Sequence, residues 1–147
     1  MPGFKGQAEN SVDSKGRVTV PSKMRKALNP EAEKSFTITR GFEECVHLYP
    51  MDRWREMEEE FAQLNPFNRE TRHFMRTVLR WADEVSLDGQ GRIKMPPRLV
   101  EFSGIDGTAF VIGSLDHIEI WDPDTFDDYL NEQPADYETV AERVMTV

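Results

Sequence analysis

A ten-residue segment with a polar centre and β-rich ends occurs twice in the chain. The first copy covers residues 12–21 and reads VDSKGRVTVP, and the second covers residues 87–96 and reads LDGQGRIKMP. Asp, Gly, Arg and Pro keep the same spacing in both copies, and β-rich segments follow each copy in the same order. Self-similarity of this kind is typical of one supersecondary unit used twice. The sequence therefore predicts two related modules in tandem.

The predicted fold is of the α+β class, because each module combines short strands with one short and one longer helix. We place the first module at residues 1–52 and the second at residues 84–130. A helical hairpin at residues 53–83 is expected to pack between them, and an acidic tail occupies residues 131–147. With 147 residues in total, each module alone would be marginally stable, so a shared interface is expected. The end of the tail is open to two interpretations, a weak amphipathic helix or disorder.

Each repeated segment is predicted to form a β-hairpin with a tight turn. In the first copy Val12 enters the turn and Val18 returns from it. Gly16 can adopt the positive φ that such a turn requires, and Asp13 can accept hydrogen bonds from its backbone N–H groups. The residues before this hairpin, 1–9, are open between a flexible start and a first strand.

Further elements follow in each module. A short helix is expected after each repeated segment, with Ser22 as N-cap in the first module and Pro96-Pro97 at the start in the second. A second hairpin is expected over residues 34–50 and again around residues 113–116. Asp52 is the expected N-cap of the long helix after it, and another helix covers residues 69–82. The apolar residues at helical spacing in the long helix are Trp54, Met57, Phe61 and Leu64.

Charge is distributed unevenly along the chain. The net charge is −9, which by itself disfavours nucleic acid as a partner. Residues 1–28, however, carry a balance of +4, whereas residues 101–147 carry −11. Because the Debye length is about 8 Å at physiological salt, a ligand on one face hardly senses acids on the opposite face. A single cysteine and the lack of a long apolar run favour a reducing, cytoplasmic setting and no membrane partner.

No pattern in the sequence supports catalysis or a cofactor. The three histidines are isolated, and neither a P-loop nor a dinucleotide fingerprint is present. Cys45 and His47 fall on one face of a predicted strand, but there is no second pair at zinc-like spacing. We interpret them as a buried thiol beside a strand histidine, and predict no metal, no cofactor, no small-molecule substrate and no enzymatic activity.

The arginine that follows each turn glycine is the best candidate for a functional side chain. Arg17 and Arg92 each present a planar fork that suits bidentate contact with guanine or phosphate. The alternative is a salt bridge to Asp13 or Asp88 that only rigidifies the hairpin. The doubled pair in basic stretches favours double-stranded DNA as partner. The predicted DNA-binding residues are Asp13, Lys15, Gly16, Arg17 and Lys23 in the first module and Asp88, Gly91, Arg92 and Arg98 in the second.

The doubled Asp-x-x-Gly-Arg hairpin, together with Phe4-Lys5-Gly6 ahead of it, resembles the MraZ family of bacterial transcriptional regulators over nearly the whole chain. The resemblance implies tandem AbrB-like (SpoVT-AbrB) modules that form an intramolecular pseudo-dimer of interlocked, swapped β-hairpins in barrel modules. It also implies a ring-shaped homo-oligomer on the nucleoid that binds short direct repeats in the promoter of a division and cell-wall operon. The family's Asp-x-x-x-Arg contact motif falls on Asp13 with Arg17 and on Asp88 with Arg92. An antitoxin or protein-interaction role without specific DNA readout is the alternative, since AbrB-like folds also serve as antitoxins.

Three further expectations concern the rest of the molecule. The first turn should dominate DNA binding, because Lys15 has Gln90 as its counterpart and more cations surround the first turn in sequence. The cations are Lys15, Arg17, Lys23, Arg25 and Lys26 around the first turn, against Arg92, Lys94 and Arg98 around the second. The arginines of residues 69–80 should be neutralised by nearby glutamates. Oligomerisation should cover bulky side chains of the helical hairpin that two small modules cannot bury. These side chains are Trp54, Phe61, Phe74 and Trp81.

Overall fold

The computed structural model describes residues 1–146 and confirms the α+β class. This part of the chain contains eight strands, six α-helices and one short 3-10 helix at Pro30–Ala32. The strands are β1 (Gln7–Ser11), β2 (Arg17–Thr19), β3 (Ser35–Arg40), β4 (Val46–Pro50), β5 (Asp83–Ser86), β6 (Arg92–Lys94), β7 (Thr108–Ser114) and β8 (His117–Trp121). The helices are α1 (Ser22–Lys26), α2 (Met51–Ala62), α3 (Arg69–Arg80), α4 (Pro97–Ser103), α5 (Pro123–Asn131) and α6 (Tyr137–Met145).

The strands of the two halves are interleaved. Six of them form an antiparallel sheet in the order β1-β7-β8-β4-β3-β5, and β2 pairs with β6 in a separate two-stranded ladder. Thus β1 of the first half pairs with β7 of the second, and β5 of the second pairs with β3 of the first. Strands β1 to β4 of the first half correspond to β5 to β8 of the second. Replacing every strand by its counterpart gives the same order, read from the other edge of the sheet. The repeat in the sequence therefore corresponds to a two-fold pattern of strand pairing.

The predicted first hairpin is right in its turn and wrong in its strands. The Asp13 and Arg17 backbones close the turn through an N–H···O bond of 3.1 Å, and one isolated bridge joins Val12 to Val18. Beyond this bridge β1 and β2 separate, and each pairs with a strand of the other half. Val18 then lies opposite Ile93, and both side chains are almost fully buried. Burial of apolar surface by the second half stabilises this arrangement over an isolated hairpin, which is marginal in water.

One hydrophobic core serves both halves. Ile38 and Leu48 of the first half pack in the same buried cluster as Ile118 and Ile120 of the second. The first residues of the chain also belong to it, since Phe4 is buried and its N–H donates to the Leu115 carbonyl. Of the two interpretations of residues 1–9, the structure has the strand.

The helical hairpin α2–α3 packs on one side of the six-stranded sheet rather than between the halves. Trp54 of α2 lies against Tyr49 of β4, with ring centroids 5.8 Å apart. The Thr39 hydroxyl of β3 donates to the Val78 carbonyl of α3 at 3.0 Å. The expected position between the modules is wrong because direct strand pairing already joins the halves.

Several predicted helix boundaries are corrected. Pro21 occupies the N-cap of α1, so Ser22 is its first residue and not its cap. Pro50 likewise caps α2, and Asp52 lies in the first turn, where its Oδ2 accepts a hydrogen bond from Asn29. The second hairpins, and α4 starting at Pro97, are confirmed.

The tail takes the helical alternative, as α6, except that Val147 lies outside the described residues. Leu64 lies beyond the end of α2. No helix in residues 1–146 combines the length and apolar character needed to cross a bilayer.

Candidate nucleic-acid interface

The two-stranded ladder of β2 and β6 presents one polar face and one buried face. Its register pairs Arg17 with Lys94, Val18 with Ile93, and Thr19 with Arg92. Side chains alternate between faces along a strand, and cross-strand partners share a face. Since Val18 and Ile93 are buried, the other four residues lie on the outward face. We call this surface, made of Arg17, Thr19, Arg92 and Lys94, the ladder face.

The first turn is organised by the carboxylate of Asp13. Its Oδ1 accepts from the backbone N–H groups of Lys15 at 3.0 Å and Arg17 at 2.9 Å. Its Oδ2 accepts from the Arg17 Nε at 2.6 Å. The backbone N–H of Arg17, more than its side chain, lowers the pKa of Asp13 to about 2. The carboxylate therefore stays charged near neutral pH and holds both the turn and the arginine.

The second turn repeats this geometry. Asp88 Oδ1 accepts from the backbone N–H groups of Gln90 at 2.8 Å and Arg92 at 3.0 Å, and its Oδ2 accepts from Arg92 Nε at 2.9 Å. Hydrogen bonds to the backbone N–H of Arg92 again lower the pKa of the aspartate. The predicted salt bridge is thus present in both modules, as the interpretation with only a structural role requires.

The salt bridges leave one edge of each guanidinium available. In both turns the aspartate binds Nε, and among residues 1–146 the two Nη groups of Arg17 and Arg92 have no hydrogen-bond partner. Both side chains are about one third exposed. Two parallel donors on one edge are what bidentate contact with guanine O6 and N7 requires. The aspartate therefore orients the arginine and leaves the edge formed by its two Nη groups free.

Both turn glycines have positive φ, +80° for Gly16 and +75° for Gly91. The Gly16 carbonyl accepts a hydrogen bond from the N–H of Met95, just after β6, at 2.9 Å. The Gly91 carbonyl accepts one from the N–H of Val20, just after β2, at 3.0 Å. Each turn is therefore attached to the other half of the chain as well as to its own.

Because of this strand pairing, two cations each lie beside the turn that is distant from them in sequence. Arg25, which is close to the first turn in sequence, packs its guanidinium against the Cα of Gly91 in the second turn. Lys94, which is close to the second turn in sequence, lies opposite Arg17 and beside the first turn. The expectation that Arg25 adds to the first turn and Lys94 to the second is wrong, because β2 and β6 run antiparallel.

The remaining predicted site residues are placed differently from one another. Lys15 and Lys23 are exposed, the first in its turn and the second on α1. Arg98 instead donates a hydrogen bond to the Arg80 carbonyl, and its guanidinium lies 5.3 Å from the centroid of the Trp81 ring. The ladder therefore brings the turn residues together, whereas Arg98 is engaged at the end of α3. Lys94 is the residue that the sequence-based site omitted; the alternation Arg92-Ile93-Lys94 could have indicated its shared face.

The arginines of α3 are not neutralised as expected. Within the described part of the chain none of them forms an ion pair with an acidic side chain, and Glu56 and Glu60 bind Arg53 instead. Arg72 donates to the backbone carbonyls of Pro66 and Phe67 in the loop before the helix. This second basic surface consists of Arg69, Arg72, Arg76 and Arg80.

The bulky side chains of the helical hairpin are largely covered within the chain. Trp54 is 5% exposed and contacts Phe61, which in turn contacts Phe74, while Trp81 packs against Phe102. Phe61, Phe74 and Trp81 stay partly exposed, so oligomerisation as the cover for these side chains stays a prediction. The large apolar residues that are exposed include Phe42, Phe67, Leu79, Leu115, Leu130 and Tyr137.

Comparison with known proteins agrees with this architecture. The chain matches the family described as "MraZ protein, putative antitoxin-like" twice, over residues 4–77 and over residues 78–147. A protein of Natranaerobius thermophilus named Transcriptional regulator MraZ is 37% identical over 142 residues, which cover 97% of this chain and 96% of that protein. One of Clostridium tetani with the same name is 37% identical over 141 residues, 96% of both chains. These matches agree with the prediction that the chain is not an enzyme. Two tandem matches over residues 4–147, with relatives that align over 96% of their own length, show that this chain belongs to the MraZ family.

Proposed function

We propose that the chain is a sequence-specific DNA-binding transcriptional regulator that contacts double-stranded DNA through the ladder face and its two turns. The observation that carries this proposal is the state of the two arginines. In each, Asp13 or Asp88 holds Nε while the Nη edge is left to contact an acceptor pair. The salt bridge fits a structural role as well, but contact with base or phosphate acceptors is what would use the Nη edge that both turns leave free.

The dimensions of the ladder support the same surface. A two-stranded ribbon fits in the major groove, which is about 12 Å wide. Arg92 lies opposite Thr19, two residues along β2 from Arg17, so the two arginines are offset by about 7 Å along the ladder. That offset is roughly two steps of about 3.4 Å along a DNA strand. Both arginines can therefore contact base pairs two steps apart in one groove.

We assign different roles to the other site residues. Lys15, Lys23 and Lys94 are exposed cations that suit phosphate contacts, which position the protein without reading sequence. Gly16 and Gly91 give the turns their positive φ. We also propose Arg98 as a DNA contact. This contact requires a DNA acceptor to replace the Arg80 carbonyl as the hydrogen-bond partner of its guanidinium.

Assembly would raise the affinity of this small surface. A few cations bind DNA weakly, but linked sites gain affinity through effective concentration. We propose a homo-oligomer, in keeping with the ring that the family resemblance implies, and an AbrB-like pseudo-dimer of swapped hairpins as its unit. The interleaved strands support the pseudo-dimer. Exposed apolar side chains such as Phe42 and Phe67 support the homo-oligomer.

Direct repeats upstream of a division and cell-wall operon are the proposed target, in the cytoplasm and on the nucleoid. The support for regulation is the name carried by the relatives, and the support for the target is the resemblance. The deciding experiment is a gel shift with DNA from upstream of the chain's own coding region, against scrambled DNA of the same length. We expect a shift with the first at concentrations that leave the second free.

A variant pair makes this experiment specific to the surface. Arg17→Ala with Arg92→Ala should abolish the specific shift, while Arg72→Ala with Arg76→Ala on α3 serves as the matched control and should retain it. The opposite pattern would locate DNA binding on α3. An intact fold in both variants is checked by circular dichroism.

A second candidate function is protein binding without DNA readout, as in an antitoxin. The description of the matching family as antitoxin-like favours it. Equal affinity for upstream and scrambled DNA would favour this candidate over the first.

A further inference from the structure

Three potential metal ligands converge where the two halves meet in the six-stranded sheet. Cys45 directly precedes β4, His47 lies on β4, and Glu119 is the cross-strand partner of His47 on β8. One donor atom from each lies within 4.8 Å of the others. The sequence did not indicate this cluster, since its third member is 72 positions away from His47 and only the β4–β8 register adds it.

The Nε2 atom of His47 points into this cluster without a hydrogen bond. The histidine is 4% exposed, and among residues 1–146 its Nε2 has no hydrogen-bond partner. The nearest oxygen of Glu119 is 3.4 Å away. Its other nitrogen, Nδ1, lies 3.0 Å from the Tyr49 hydroxyl. A buried polar atom without a partner is costly, so a ligand at Nε2 would satisfy an otherwise unmet requirement.

We propose that Cys45 Sγ, His47 Nε2 and a carboxylate oxygen of Glu119 bind a divalent transition-metal cation of the zinc type. Thiolate, imidazole and carboxylate together suit zinc, and three protein ligands leave a fourth position for water. Two N or O ligands at about 2.1 Å in a tetrahedral site are about 3.4 Å apart, close to the distance between His47 and Glu119.

The surroundings orient Glu119 and enclose the other two ligands. Trp121 Nε1 donates to Glu119 Oε1 at 2.9 Å, and His117 Nε2 lies 3.2 Å from Oε2. Contacts of this kind hold metal ligands in place. The backbone of Gly41 closes over the cluster, because a Cβ there would come within 2.5 Å of Cys45 Sγ and 2.8 Å of His47 Nε2.

The thiol requires one chemical step. Burial, with Glu119 and Glu43 nearby, raises the pKa of Cys45 well above its usual range, so the group is a neutral thiol without a cation. Binding would transfer its proton to solvent and form the metal–sulfur bond, with no change of oxidation state.

The test is a titration of the full-length, metal-free, reduced protein with Co²⁺, followed by absorption spectroscopy. One equivalent should produce visible bands of a tetrahedral site and a near-ultraviolet thiolate-to-cobalt band, and one equivalent of Zn²⁺ should abolish both. Cys45 is the only cysteine in the chain, so the thiolate band of the wild-type protein can arise only there. The lack of this band in the wild-type protein would overturn the proposal.

Variants assign the ligands. Cys45→Ser should remove the thiolate band and weaken Co²⁺ binding at least about 10-fold, and His47→Gln should weaken it similarly. His73→Gln, a histidine outside the cluster, is the control and should bind like the wild type. Unchanged binding by folded Cys45→Ser and His47→Gln would mean that the cation binds elsewhere. If both variants fail to fold, the wild-type spectrum decides.

Discussion

The two turns have the same internal geometry and different surroundings. Each aspartate accepts the same three hydrogen bonds, and each glycine has nearly the same φ. Around Gly16 lie the Met95 carbonyl and Val100, whereas the Arg25 guanidinium covers Gly91. The comparison teaches that the five-residue motif determines its own conformation, while the opposite half determines what surrounds it.

The same exchange changes the balance of charge between the turns. The first turn has Lys15, Arg17 and, from the opposite strand, Lys94. The second has Arg92 and, from α1, Arg25. The inequality that the sequence predicts is therefore smaller in the structure but has the same sign. The predictions below test it, starting with the largest expected effect.

Removal of the arginines should have the largest effect on DNA binding. Arg17→Ala should weaken binding to the upstream DNA by about 1–3 kcal/mol and relax base preference, because a bidentate contact is lost. Arg92→Ala should cost less, since fewer cations support the second turn. Fluorescence anisotropy with the same DNA at several salt concentrations measures both. Equal losses would mean that the turns are equivalent, and a larger loss with Arg92→Ala would reverse their ranking.

Alanine substitution of the turn glycines should show how the different surroundings of the two turns affect the stability of the fold. Both substitutions strain a positive φ, at a cost of about 1–2 kcal/mol in the free energy of unfolding. Gly16→Ala should destabilise more, because its Cβ would lie 2.8 Å from the Met95 backbone oxygen, whereas at Gly91 the obstacle is the movable end of Arg25. Urea denaturation compares the two, and a less stable Gly91→Ala protein would contradict this reasoning.

Exchange of the turn residues should change the salt dependence of DNA binding. Lys15→Gln makes the first turn like the second and should reduce the magnitude of the slope of log K against log salt by about 0.9. Sequence preference should change little, because a phosphate contact carries no base information. Gln90→Lys should steepen the slope and raise non-specific binding. A constant slope in both variants would show that neither position contacts phosphate.

Acid pH should have the smallest of these effects, on the contribution of the Asp13 carboxylate to folding stability. The pKa of Asp13 is lowered to about 2 in the folded protein, from about 3.9 in an unfolded chain. The folded state thus binds fewer protons there, so this contribution to stability is present above about pH 4 and is lost as pH falls towards 2. Carboxyl titration by NMR should give a pKa for Asp13 well below the usual range of an aspartate, and a value within that range would contradict this prediction.

Much of the fold followed from local sequence. The repeated motif predicted both turns, and apolar spacing predicted the second hairpins and the helical hairpin. The predictions that were wrong concerned strand pairing, where the partner strand is distant in sequence. Nothing in residues 10–20 indicates that β1 and β2 pair with the other half, because the same alternation of apolar residues suits either pairing.

The sequence by itself determined the conformation of each turn, because Asp13, Gly16 and Arg17 interact with one another over four residues. Only the tertiary structure decided which cations stand beside each turn, and that Glu119 lies opposite His47. The physical reason is range: hydrogen bonds within a turn join neighbours in sequence, whereas register between distant strands depends on burying one shared core.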